Sequence, residues 1–339
     1  MSRVGIVGLG SYVPEDILTN KDFEKMVDTT DSWITARTGI KERRKAREGV
    51  PVSELCYQAA RQALEDAGIL PQEVELVIVA SVTPDYAFPA TACLVADRLG
   101  ISKAAAFDLE AGCSGFIYAA VTASQFIAAG MYRTALVIGG ETLSKITNWQ
   151  DRGTCVLFGD GAGAAVLQPV EDGYGFLGME LGADGSGGDL LIQPAGGSSI
   201  PATTASVQAN LHTIRMAGRE VFKFAVRVIE ESVQSLLSKC DLRLEDIDLF
   251  LFHQANQRII EAAARRLELD QEKVFVNLER YGNTSAASIP LALDEAVQQK
   301  RIRDGDILMM VGFGAGLTWG AIACKWGGKG NKDDQNENL

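Results

Sequence analysis

Three segments carry side chains able to do chemistry together. Cys113 stands in DLEAGCSGFIYAA, where an acidic run ends and an apolar helical pattern begins. A thiol at a helix N-terminus has its thiolate favoured by the macrodipole and the free N–H groups. Gly112 and Gly115 allow a sharp turn and close approach of a substrate. The same cysteine reads equally well as a small buried hydrophobe. His253, in LFLFHQANQRI, ends an apolar strand and precedes a helix, which suits either an imidazole aimed at a sheet edge or a satisfied core histidine. Asn283, in RYGNTSAAS, taken alone is a turn residue or a helix cap. As a set the three suit acyl-thioester chemistry. A thiolate attacks a carbonyl, and neutral His and Asn N–H groups hydrogen-bond a developing oxyanion or enolate.

An α/β framework must position them. Strand-like runs fall at 4–8, 76–80, 104–109, 135–139, 164–168, 249–252, 307–311 and 321–325. Many are apolar throughout, as strands covered on both faces are. Helical patterns lie between them at 53–67, 114–129, 218–240, 256–267 and 288–300, which predicts layered sheets and helices. The two halves also resemble each other in order. DAGILPQEVELVIVAS parallels KCDLRLEDIDLFLFHQ, ADRLGISKAAAFDLEAGCSG parallels ARRLELDQEKVFVNLERYGNTSA, and GDGAGAAVL parallels GFGAGLTWGAIA. An internal duplication follows, with halves at 1–172 and 173–326. Cys113 and Asn283 then occupy corresponding turns, each after a strand and before a helix. His253 follows the strand equivalent to the one ending near Ala80. Ligands of open α/β sheets bind at such strand C-termini. The glycine-rich polar tail, 327–339, is expected to be disordered.

Bulk properties exclude other classes. The 339 residues are 47% hydrophobic and 22% charged, enough for a large core. A net charge of −12 argues against nonspecific nucleic-acid binding. The basic run KERRKAR, 41–47, reads as a solvated face in preference to a site for a phosphorylated ligand. No signal peptide and no membrane span are expected, and six cysteines without a C-x-x-C pair suit reduced thiols in a cytosol. With two histidines, His212 and His253, a Cys/His zinc site would need unusual geometry, so no metal is expected. GIVGLGSYVP lacks the third glycine of a dinucleotide fingerprint, and ADGSGGD lacks the alternating acids of a calcium loop.

Seven segments carry a resemblance: DSWITARTGIKER, AFPATAC, AGCSGF, FGDGAGAAVL, HQANQRI, YGNTSAAS and GFGAGLTWG. With them, residues 1 to 326 resemble the β-ketoacyl-acyl-carrier-protein synthase III family, of the thiolase-like αβαβα fold. The resemblance implies a decarboxylating condensation of an acyl-CoA primer, acetyl-CoA or another short acyl-CoA, with malonyl-acyl-carrier protein. This would initiate fatty-acid synthesis in the cytoplasm, in a homodimer, without a cofactor. It assigns the catalytic triad to Cys113, His253 and Asn283, and the oxyanion-hole N–H groups to Cys113 and Ala315. It places CoA at Trp33, Arg37, Thr38 and Arg152, and a supporting side chain at Asn256. Leu143 and Phe158 would line the acyl pocket, which Phe88 would close across the dimer. Lys223, Arg258, Arg265 and Arg266 would form a basic patch for the acidic carrier protein. Against the pattern, Arg219 replaces an Asn near the pantetheine and Ala315 replaces a glycine, so its backbone must reach the required φ/ψ.

Other readings differ in class. Cys, His and Asn in this order, with His253 140 residues after Cys113, also occur in papain-like hydrolases, but C-G-S-C-W is absent here. Thiolase would place a second cysteine in VGFGAG, which has none. Hydroxymethylglutaryl-CoA synthase needs a Glu before the cysteine helix, where Glu110 is the nearby candidate. A secondary-metabolite condensing enzyme and an acyl-binding regulator without turnover complete the alternatives.

Overall fold

The computed structural model of the chain describes residues 3–328; residues 329–339, most of the tail expected to be disordered, lie outside the described residues. The first half runs β1 (Val4–Tyr12), β2 (Ile17–Thr19), α1 (Asn20–Phe23), α2 (Asp31–Thr38), β3 (Glu42–Arg44), α3 (Val52–Ala67), β4 (Leu76–Ala80), α4 (Thr91–Leu99), β5 (Ala105–Leu109), α5 (Gly115–Ala128), β6 (Ala135–Thr142), α6 (Arg152–Cys155) and β7 (Asp160–Pro169). The second runs β8 (Gly175–Ala183), β9 (Leu191–Ile192), α7 (Thr204–Gln208), β10 (Arg215–Met216), α8 (Gly218–Cys240), β11 (Leu249–Phe252), α9 (Gln257–Arg266), α10 (Leu278–Tyr281), α11 (Ser288–Gln298), β12 (Ile307–Gly314) and β13 (Thr318–Lys325).

Strand pairing repeats between the halves. The first sheet is five-stranded in the order β1-β7-β6-β4-β5, and the second is four-stranded in the order β8-β13-β12-β11. In each, the strands at one end are parallel (β5, β4 and β6; β11 and β12) and the two at the other end are antiparallel. The missing fifth position of the second sheet is held by Val274, which makes a parallel bridge to Phe250. Register fixes the equivalences: Ala80 stands beside Gly139 as Phe252 stands beside Val311. Ser81 therefore matches His253, and Glu141 matches Phe313.

Composition sorts the helices into layers. α3 buries Val52, Leu55, Cys56, Ala59, Ala60, Ala63 and Leu64, a spacing of three and four that leaves a wet opposite face. It packs with α4 on the outside of the first sheet, and amphipathic α8 and α9 cover the second. By contrast α5 (GFIYAAVTASQFIA) and the first two turns of α11 are buried nearly all round. They lie between the two sheets, giving αβαβα. Close approach there needs missing side chains. A Cβ on Gly139 would sit inside van der Waals contact with the Ala286 carbonyl, and one on Gly163 would be 2.7 Å from Pro290 Cβ.

Eight strands and five helices were legible as periodic runs, with ends displaced by a few residues. β8 (GFLGMELGA) was not, because three glycines and a half-exposed edge position blur its alternation. The basic run 41–47 is corrected. It is not a solvated face: Glu42–Arg44 forms a strand paired with Ile17–Thr19, and Arg43 turns inward, fully buried. Its guanidinium donates to Asn20 Oδ1 at 2.7 Å and, through Nε at 3.0 Å, to the Val156 carbonyl. Burial holds its pKa down at about 10. Lys41 and Arg47 pair with Glu279 and Asp16. Among the described residues no helix is long and apolar enough to cross a membrane, and no cluster of three or more His, Cys, Asp or Glu is disposed to hold a metal.

Gly139→Ala is expected to lower the unfolding free energy by about 2 kcal/mol or more, since overpacking meets backbone there. Gly185→Ala, with nothing within 4 Å of the new Cβ, is the control and should leave the urea midpoint unchanged.

Candidate active site

Cys113 occupies a 3₁₀ turn, Gly112–Ser114, that leads into α5. Gly112 takes φ +54°, and a Cβ there would lie 2.8 Å from the Ala315 N. A Cβ on Gly314 would lie 2.5 Å from the Cys113 N. Glycine at both positions lets the turn of one half press against the β12–β13 turn of the other. Ser114 Oγ donates to the Ala111 carbonyl at 2.7 Å, and Glu110 Oε1 accepts from the Gly112 N–H at 3.0 Å. Glu110 thus braces the turn. Ala315 is absent from the non-glycine residues of positive φ; the left-handed burden falls on Gly316, at φ +135°. The helix N-terminus does not dominate the thiol: burial pushes Cys113 up to about 12, opposed by the Ser285 hydroxyl and reinforced by the Glu141 charge.

His253 and Asn283 are held from the second half. His253 follows β11, and its N–H donates to the Val311 carbonyl at 2.9 Å. Its Nδ1 lies 2.6 Å from Ser288 Oγ, which also accepts from the Gln254 N–H at 3.4 Å. With the Ser288 hydroxyl donating to Nδ1, Nε2 is the ring nitrogen that carries the proton. The Phe313 ring meets the imidazole edge-on at 5.1 Å. Burial lowers the His253 pKa to about 3, so the ring is neutral. Asn283 Oδ1 accepts from the Ser285 N–H at 2.8 Å, which leaves Nδ2 as the free donor. Its backbone is clamped to the 157–159 segment: N–H to the Leu157 carbonyl and carbonyl from the Gly159 N–H, both at 2.9 Å.

Two cavities meet at Cys113. A narrow one of about 90 Å³ is lined by Cys113, His253, Asn283, Asn256, Phe313 and Gly314. A larger one of about 580 Å³ is lined by Cys113, Leu143, Phe158, Tyr86, Ser285 and Ala315. The three chemically able side chains therefore converge on one space, with Leu143 and Phe158 beside it. Asn256 caps α9 through the Arg258 N–H at 2.9 Å and donates to the Arg37 carbonyl at 3.2 Å. It ties the narrow cavity to α2. There Arg152 lies over the Trp33 ring at 4.9 Å and Arg37 at 5.8 Å. Thr38 is different: it is buried, donates to the Ile34 carbonyl at 2.7 Å and accepts from the Ile40 N–H at 3.0 Å, so its hydroxyl is occupied.

The outlying residues separate. Lys223 and Arg266 line an open groove of about 630 Å³. Arg258 and Arg265 are exposed on α9 outside that lining. Arg266 pairs with Glu230 at 3.1 Å and Arg265 with Glu261 at 3.9 Å. Arg219 is exposed at the start of α8. Phe88 is 85% exposed and lines neither cavity at Cys113.

Sequence reasoning missed Glu141 and Ser285. Glu141 ends an apolar strand, where an acid usually signals the onset of a loop, yet it is completely buried. It accepts from Thr83 Oγ1 at 2.6 Å, Ser81 Oγ at 3.2 Å and the Val82 N–H at 3.2 Å. Ser285 Oγ is buried without a partner at hydrogen-bond distance. The Ser285 hydroxyl acts to lower the pKa of both Cys113 and Glu141. Ser285 and Ser288 lie inside the quoted YGNTSAAS, which was the available signal for them.

Comparison with known proteins adds an independent line. Residues 107–185 match the 3-oxoacyl-[acyl-carrier-protein] synthase III family model, and residues 237–326 match the model of its C-terminal part. The chain is 64% identical over 330 residues to the β-ketoacyl-[acyl-carrier-protein] synthase III of Desulfitobacterium hafniense, covering 97% of this chain and 100% of that one. Among solved structures, the synthase III of Thermus thermophilus is 50% identical with a TM-score of 0.89, covering 96% of this chain and 99% of that one. That of Aquifex aeolicus is 47% identical with a TM-score of 0.88, covering 95% and 100%. The thiolase-like fold expected from the motifs is thus the fold of its relatives, and the chain belongs to the β-ketoacyl-[acyl-carrier-protein] synthase III family.

Proposed function

We propose that the chain is the acyltransferase that initiates fatty-acid synthesis, condensing a short acyl-CoA with malonyl-acyl-carrier protein. The observation that carries this reading is the convergence of Cys113, His253 and Asn283 on one narrow cavity. The papain-like alternative has no place in a doubled αβαβα fold.

In the first stage Cys113 Sγ attacks the acyl-CoA carbonyl. The backbone N–H groups of Cys113 and Ala315 receive the oxyanion, and CoA leaves. The acyl chain lies along Leu143 and Phe158. In the second stage malonyl-carrier protein enters the narrow cavity. The N–H groups of His253 Nε2 and Asn283 Nδ2 bind its thioester oxygen and stabilise the enolate as carbon dioxide departs. The enolate carbon attacks the Cys113 thioester, and the β-ketoacyl-carrier protein is released. A neutral imidazole suits this role, because it donates without first giving up a proton.

Trp33, Arg37 and Arg152 are assigned to the CoA nucleotide, an aromatic face flanked by two cations. Thr38 would support that end as part of the α2 turn. Asn256 joins it to the catalytic cavity. Lys223, Arg258, Arg265 and Arg266 are assigned to the carrier protein, whose acidic surface they would steer despite the overall charge of −12. The active unit is a homodimer in this reading. What supports it is the outer edge of β5, unpaired in the single chain, together with exposed Phe88 and Tyr86 nearby in sequence. The six free cysteines accord with a cytoplasmic setting. No cofactor enters the two stages as written; acyl-CoA is a substrate.

Intact-mass spectrometry after acetyl-CoA alone should give an acetyl adduct on Cys113 that disappears when malonyl-carrier protein is added. A wild-type chain that never acylates would overturn the function. His253→Ala and Asn283→Ala should still acylate while slowing decarboxylation by about 100-fold or more, the usual loss for one oxyanion donor. Equal loss of acylation in both would reverse their assignment. The depressed His253 pKa has a sign that can be checked by ¹⁵N NMR of the imidazoles. His253 should stay neutral from alkaline pH down to about 4, protonating only as pH falls toward its folded value of about 3. A midpoint near 6.5 would contradict the burial argument.

A further inference from the structure

The basic run 41–47 has no part in the two stages above, yet Arg43 is the largest fully buried side chain among the described residues. It stays charged, because even its lowered pKa of about 10 lies above neutrality. Neutral groups hold that charge. Nη1 donates to Asn20 Oδ1 at 2.7 Å, Nε donates to the Val156 carbonyl at 3.0 Å, and Nη2 donates to the same carbonyl. The guanidinium lies over the Phe23 ring at 4.5 Å. A buried cation without a carboxylate is costly, and an apolar side chain of similar volume would avoid the cost. Its retention calls for a use.

The use lies in what the guanidinium grips. Val156 leads into the 157–159 segment that clamps Asn283. The Leu157 carbonyl accepts from the Asn283 N–H and the Gly159 N–H donates to the Asn283 carbonyl, both at 2.9 Å, so that Phe158 and Asn283 form a parallel bridge. The Arg43 stem lies against both sides of this clamp. A Cβ on Gly282 would be 2.9 Å from Arg43 Cγ, and one on Gly159 would be 3.3 Å from Arg43 Cβ. Glycine at these two positions makes room for the arginine beside the residue that donates to substrate. β3 is tied to the same turn along its length: the Lys41 N–H donates to the Glu279 carbonyl at 2.9 Å, and Arg44 lies over the Tyr281 ring at 5.9 Å. Buried Asn20 steadies the guanidinium from the other side, its amide donating to Asp31 Oδ1 and to the Ile40 carbonyl, both at 2.8 Å.

We propose that Arg43 is a positioning residue for decarboxylation: it fixes the segment that holds Asn283, and so aims the Asn283 amide at the malonyl thioester. Arg43 lines neither cavity at Cys113, so it acts only through that segment. Two donors of a rigid fork on one carbonyl fix its place better than a single ammonium can. Precision matters there, since a misplacement of about 1 Å can cost about 100-fold. Acylation does not lean on this clamp. The Cys113 turn is held instead by Glu110, the Ala111 carbonyl and close packing at Gly314.

The proposal rests on the function above, and separate rates for the two stages distinguish them. Single-turnover acylation by acetyl-CoA and decarboxylation of malonyl-carrier protein by the acetylated enzyme should be measured in wild type, Arg43→Met, Arg43→Lys and Lys41→Ala. Both Arg43 changes should also be combined with Asn283→Ala. Arg43→Met should slow decarboxylation by about tenfold or more while acylation changes less than about twofold. Arg43→Lys should slow decarboxylation by about threefold or more, because the fork is lost although the charge stays. Lys41→Ala, which removes an exposed ion pair of the same strand, should match wild type in both stages. In the Asn283→Ala background each Arg43 change should cost less than about twofold further, since the donor it aims is gone. If Arg43→Met does not fold, Arg43→Lys carries the same comparisons. An Arg43 effect of the same size with and without Asn283, an equal fall of both stages, or decarboxylation at the wild-type rate overturns the positioning role while the function stands. A wild-type enzyme that forms no acyl-Cys113 overturns both.

Discussion

Burial of α5 and α11 between two sheets is the constraint from which the site follows. Each helix is apolar on nearly every face, so neither can lie on the surface. α5 starts just after β5 ends, α11 follows α10, and the two starts meet across the middle layer. The turns carrying Cys113 and Asn283 are those starts. Their separation is set by backbone contact: Gly112 and Gly314 let the Cys113 turn touch the β12–β13 turn, and Gly139 and Gly159 let the second-half turn touch β6 and the 157–159 segment. The spacing of Cys113 and Asn283 is then a property of glycine-mediated packing, held by the whole core.

The same burial sets the electrostatics. Removing water from one cleft moves Cys113 up, Glu141 up and His253 down. These directions share one cause, since each is a move toward the uncharged form. A neutral imidazole is ready to donate. A protonated thiol is protected from stray electrophiles but needs an acceptor at the moment of attack. An argument from the helix N-terminus alone gives the opposite sign for the thiol, because it counts a favourable dipole and omits the lost solvation.

What the sequence made legible was whatever local pattern determines. Apolar runs marked eight of the strands, and repeated order marked the doubling, because both are written in consecutive residues. Cys113, His253 and Asn283 stood out through motifs at strand ends. Arg43 was hidden within a charge run, although a strand's alternation puts Glu42 and Arg44 on one side and Arg43 on the other. The resemblance put Thr38 at the CoA site, but the helix that ends at it uses its hydroxyl at once. Glu141 was least legible of all. Its burial depends on donors at 81–83, 58 to 60 positions away in the chain.

The doubled frame has been filled asymmetrically, and that asymmetry is the chemistry. At the ends of β4 and β11, Ser81 answers His253; at the ends of β6 and β12, Glu141 answers Phe313; at the turns before α5 and α11, Cys113 answers Asn283. In the second half an aromatic edge keeps the imidazole dry and neutral beside an amide donor. In the first half the equivalent position holds a carboxylate near a thiol. One backbone plan thus presents donors from one side and a nucleophile with a neighbouring acid from the other. In the proposed reaction a substrate carbonyl placed between them meets both functions.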